Sequence, residues 1–73
     1  MSGTGDIMQP RERQEWLVRW MRDESLALTH RRKAAQMLAR SIRGQRGLLV
    51  ELTPADTAIL RAFVRGERPP AVH

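Results

Sequence analysis

The chain has 73 residues, and a domain of this size buries only about 60% of the surface that its unfolded form exposes, so its core is thin. It contains no Cys, and its two His residues, His30 and His73, lie far apart in the sequence, which excludes disulfides and a structural metal site as means of stabilisation. We expect close helix packing or dimerisation to take their place.

Positive charge dominates the composition. Twelve Arg and one Lys against eight acidic residues give a formal net charge of +5, which favours a partner that carries phosphates or an acidic protein surface. The longest purely apolar run, residues 48–50, is far shorter than the roughly 20 residues that span a bilayer. We therefore expect a cytoplasmic protein without a membrane partner.

The first predicted element is an amphipathic helix over residues 10–23, which follows a flexible arm over residues 1–9 that has too few apolar residues to be ordered. Pro10 suits the first turn of such a helix, because its missing N–H is not needed there. The apolar residues that share one arc are Trp16, Leu17, Trp20 and Met21.

The two tryptophans of this helix have two possible roles. Large aromatic side chains in a small domain either form part of its core or project into an interface, and the sequence leaves both roles open. The candidate residues for a partner or dimer interface are Trp16, Trp20 and Met21.

A second helix is predicted over residues 26–43. Its first turn is ambiguous, because Ser25 and Thr29 are both acceptable N-cap residues. Its end is clearer, since Gly44 is expected to adopt the left-handed conformation that terminates a helix. The apolar stripe of this helix comprises Leu28, Ala35, Leu38, Ala39 and Ile42.

Another side of the second helix is basic. At about 100° per residue, its cationic side chains fall within about 100° of arc, and such an arc can follow a phosphate backbone or enter a major groove. An acidic protein surface, or simple solvation of the face, would also account for them. The candidate nucleic-acid-binding residues are Arg32, Lys33, Gln36, Arg40, Arg43 and the turn residue Arg46.

After a turn with two glycines, residues 48–52 form either a short strand or an extended link, and a strand would need a second copy of the chain to pair with. A third helix is predicted over residues 54–65. Its start is marked by Thr53, Pro54 and Asp56, which approximate a capping box, and it ends at Gly66. A loose tail over residues 67–73 follows.

These elements predict an all-α, three-helix bundle in a single domain, residues 10–66, with flexible termini and with homodimerisation as one expected state. Neither a nucleophile with its base nor a set of metal ligands is spaced as chemistry requires, so we expect no catalytic residue, metal, cofactor or small-molecule substrate. His30 is interpreted as a surface residue.

The expected function is therefore binding. The basic helix favours a small regulatory or accessory protein of bacterial or phage type that docks on nucleic acid. The alternative is an inhibitor or adaptor that engages a host protein through the helix bearing Trp16 and Trp20, with its Arg residues directed at acidic surface.

Overall fold

The computed structural model describes residues 9–44 and 47–71 and contains three helices, α1 (Pro10–Arg22), α2 (Leu28–Gly44) and α3 (Pro54–Val64). No residue in these two ranges belongs to a β-strand. The predicted all-α, three-helix architecture is therefore confirmed. The predicted N-terminal arm before Gln9 lies outside the described residues, as do Arg46 and His73.

A single apolar core lies between the three helices. Two alanines of α2 are buried in it, and because each carries only a Cβ they allow α1 to pack closely along α2, which forms the largest interface of the bundle. The buried apolar residues of this core are Leu17, Val18, Met21, Ala34, Ala35, Leu38, Ile59 and Phe63.

The start of α3 has the predicted capping box. The Thr53 side chain accepts a hydrogen bond from the backbone N–H of Asp56 at 3.0 Å, and the Asp56 carboxylate accepts one from the backbone N–H of Thr53 at 3.4 Å. Two of the backbone donors that the first turn leaves without helical partners are thereby satisfied. The sequence signal for this helix start is confirmed.

The end of α3 also follows prediction. Gly66 has φ 79°, the Gly66 N–H binds the Phe63 carbonyl at 3.1 Å, and the Glu67 N–H binds the Ala62 carbonyl at 2.8 Å, which together make a Schellman motif. The corresponding expectation for Gly44 is wrong. That glycine is itself the last residue of α2, so its φ is in the ordinary helical range and not in the left-handed region.

The connection between α1 and α2 is a tight turn around Asp23. The Ser25 hydroxyl donates to the Asp23 carboxylate at 2.6 Å and the Ser25 N–H donates to it at 3.0 Å. The hydrogen bond from the Ser25 hydroxyl, and to a smaller extent the one from the Ser25 N–H, lower the pKa of Asp23 below its ordinary value of 3.8. The turn therefore stabilises the fold above that pH, and this contribution is lost as the pH falls through the lowered pKa. Ser25 is therefore part of the turn, and α2 starts three residues later.

Arg31 of α2 is directed into the bundle and is 7% exposed. Its Nε–H donates to the Met21 carbonyl at 2.8 Å, which is one of the last carbonyls of α1, and a cation at this end of a helix is favoured by the helix dipole. The guanidinium also lies 5.5 Å from the ring centroid of Phe63 in α3. One side chain of α2 thus contacts both of the other helices.

Gln14 of α1 is fully buried and fixes the segment that follows α2. Its Nε2 donates to the Ser41 hydroxyl and to the Gly47 carbonyl, each at 3.1 Å, and its Oε1 accepts the Leu49 N–H at 2.8 Å. Residues 48–52 belong to no helix or strand within the chain, bend at Val50, and have the Leu49 N–H bonded to Gln14.

We expect Arg31→Met to lower the free energy of unfolding by about 2–3 kcal/mol, because the Met21 carbonyl loses a charged donor in a buried place. The measurement is urea denaturation followed by far-UV circular dichroism. Arg32→Met is the matched control, since it removes the same charge one residue away at an exposed position and should change stability by less than about 0.5 kcal/mol. Equal stabilities for the two variants would contradict this role of Arg31.

We expect Gln14→Leu to cost about 2–3 kcal/mol, because it leaves buried polar groups around Ser41 and Leu49 without their partner. Thermal and urea unfolding measure this loss. Gln36→Leu makes the same chemical change on the exposed side of α2 and should be close to neutral. A Gln14→Leu protein as stable as wild type would show that these hydrogen bonds contribute nothing net.

Candidate functional site

The predicted basic residues of α2 lie on one exposed side of the helix, which we name the basic face. Its members within the described residues are Arg32, Lys33, Gln36, Arg40 and Arg43. The buried residues of α2 lie on the opposite side, so the basic face is directed away from the core. The ion pairs within residues 9–44 and 47–71 are Arg11 with Glu15 and Arg22 with Asp56, and neither includes a residue of the basic face.

Helix stability does not account for this distribution of charge. The sequence of α2 contains no Asp or Glu, and Arg40 and Arg43 are like charges three residues apart, which destabilises a helix by a few tenths of a kcal/mol. Arg43 is in the last turn, where the dipole favours a cation, whereas Arg32 and Lys33 are closer to the positive end. A partner of negative charge would compensate for this repulsion.

The fold brings further arginines to both sides of the basic face. Arg61 of α3 and the C-cap residue Arg65 line one concavity together with Arg43, and Arg13 of α1 lines another together with Arg40. Sequence reasoning missed Arg61 and Arg65, because helical periodicity treats each helix separately. Packing adds these three cations to the site.

Other arginines have structural partners. Arg22 of α1 forms an ion pair with Asp56 of α3 at 3.5 Å, and Arg31 is buried as described above. Arg19 lies over the Trp16 ring with its guanidinium carbon 4.9 Å from the centroid. The positive charge of the chain is therefore divided between packing contacts and the exposed basic face.

The tryptophans of α1 lie at the surface of the bundle. Trp16 is 36% exposed and Trp20 is 43% exposed, and their ring centroids are 5.6 Å apart. Met21, which the sequence grouped with them as an interface residue, is fully buried, so that expectation is wrong. The reason is that α1 turns Gln14 and Val18 into the core, which rotates its buried side away from the tryptophans.

No group of three or more His, Cys, Asp or Glu side chains within residues 9–44 and 47–71 is placed to hold a metal ion. Among the same residues, no helix combines the length and the hydropathy that crossing a bilayer requires.

Comparison of the chain with protein-family models, with curated proteins and with solved structures finds no match in any of the three. The geometry and charge of the chain itself are therefore the basis for any function assigned to it.

Proposed function

We propose that this chain is a small, non-enzymatic nucleic-acid-binding protein with a regulatory or accessory role, which docks on the phosphate backbone through the basic face of α2. The observation that carries the proposal is the exposure of Arg32, Lys33, Arg40 and Arg43 on one side of a helix, with none of them in an ion pair within the described residues. Phosphates supply the charges that such a surface lacks.

The dimensions of the basic face support a duplex as the partner. Arg32 and Arg43 are eleven residues apart, which corresponds to about 16 Å along the helix axis. The major groove of B-DNA is about 12 Å wide and admits one α-helix. A helix inserted there has phosphates of both strands beside it, and the chain has cations on both sides of α2, Arg13 on one and Arg61 with Arg65 on the other.

Within this arrangement the side chains have different roles. The cations bind phosphate oxygens and so set the register and orientation of the protein on the duplex. Gln36 lies between them on the exposed side, and its amide can donate to and accept from the edge of an adenine in the major groove. Affinity therefore comes from charge, and base preference comes from the middle of the face.

We expect a variant with both Arg40→Ala and Arg43→Ala to bind a mixed-sequence DNA duplex more weakly, with a salt dependence of log K less steep by about 2, because two fewer phosphates are neutralised. Fluorescence anisotropy of a labelled duplex at several salt concentrations measures both quantities, and circular dichroism checks that the fold is retained.

The matched control removes Arg11 and Arg19 instead. Both are exposed on α1 and close to Glu15, so the control loses the same two charges away from the basic face. It should keep a slope close to that of the wild type. If both double variants lost the same affinity and the same slope, net charge alone would explain the binding and the basic face would have no special role. Absence of duplex binding by the wild type at low salt would refute the proposal.

A further inference from the structure

A groove runs between α1 and α2, along one edge of the basic face. Its first part has a volume of about 330 Å³ and almost wholly apolar walls, and Lys33 and His30 are also among its lining residues. The apolar residues that line this part are Leu17, Trp20, Leu26, Ala34 and Met37.

The groove continues towards the end of α2. Leu17 and Met37 also line a second concavity, whose walls include Arg13 and Arg40. Because both parts share these two apolar residues, they are adjacent along the α1–α2 interface, and we name them together the α1–α2 groove. One part is apolar, the other is cationic, and neither has a carboxylate among its lining residues.

Some of the apolar side chains that line this groove are exposed to solvent. Trp20 is 43% exposed and Met37 is 46% exposed, and both line the groove. Removing such side chains from water is favourable, and Trp and Met are enriched in protein interfaces. The groove therefore has both an apolar driving force and a charge preference.

We infer that the α1–α2 groove binds an acidic amphipathic helix of another protein. Apolar side chains of that helix, spaced three or four residues apart, pack against Trp20 and Met37, and its flanking carboxylates bind the cations along the groove. Lys33 lies at the apolar part, and Arg13 and Arg40 lie at the other, so the complementary helix carries acidic residues along its length.

Charge favours this occupant over the two others. A second copy of the chain would bring its own net charge of +5 towards a groove lined by three cations. A nucleic acid backbone would gain nothing from the apolar walls, since phosphates need cations or N–H donors. This site differs from the proposed duplex contact in its need for apolar side chains, although Arg13, Lys33 and Arg40 belong to both.

The test is selection of a displayed library of random peptides on the full chain, followed by titration of the selected peptides with Trp fluorescence as the readout. We expect selected peptides to combine acidic residues with large apolar residues at helical spacing. Met37→Glu places a carboxylate in the centre of the groove and should weaken binding at least about tenfold, and the milder Met37→Ala should weaken it less.

Two control variants make the result specific. Val64→Glu changes an apolar residue that is 53% exposed on α3, outside the groove, and should leave peptide affinity unchanged. Arg43→Ala removes a cation of the basic face that does not line the groove and should also leave it unchanged. Because Met37→Glu retains every cation of the basic face, failure of this inference and failure of duplex binding are observed separately.

The inference is overturned if the selection yields no acidic, apolar pattern, or if the selected peptides bind the Met37 variants as well as they bind the wild type. It is also overturned if sedimentation shows a dimer of the wild-type chain that Met37→Glu converts to a monomer, because a second copy would then occupy the groove.

Discussion

The inward position of Arg31 is the constraint on which the rest of the molecule depends. Its Nε–H binds the last turn of α1 at Met21, and its guanidinium lies against Phe63 of α3, so α2 cannot rotate about its axis without losing both contacts. With Arg31 directed inwards, the helical repeat directs Arg32 and Lys33 towards solvent. An arginine within the bundle thus determines that the basic face points outwards.

A thin core is supplemented here by polar side chains with satisfied hydrogen bonds. Gln14 joins α1 to Ser41 of α2 and to the link at Gly47 and Leu49, and in the described part of the chain every buried side-chain nitrogen or oxygen has a partner. Burying a polar group without a partner is costly, so arrangements of the helices that break these hydrogen bonds are disfavoured. These bonds give a small bundle the specificity that its few apolar contacts cannot supply alone.

Two surfaces of different chemistry meet along α2. The basic face is hydrophilic and suits phosphates, whereas the adjoining α1–α2 groove has Trp20 and Met37 in its walls and suits apolar side chains. Lys33 and Arg40 border both. One helix of this small chain thus contributes to both surfaces.

The sequence by itself determined the features that depend on local spacing: the number of helices, their approximate limits, the capping box of α3, and the single arc of basic residues on α2. Each of these follows from backbone hydrogen bonding and the helical repeat within a short segment. Only the tertiary structure decided that Met21 is core while Trp16 and Trp20 are exposed, that Arg31 is buried, and that arginines from outside α2 lie beside the basic face. The physical reason is that an amphipathic helix has several possible inward rotations, and the neighbouring helices select among them by packing and by the partners that they offer to buried polar groups.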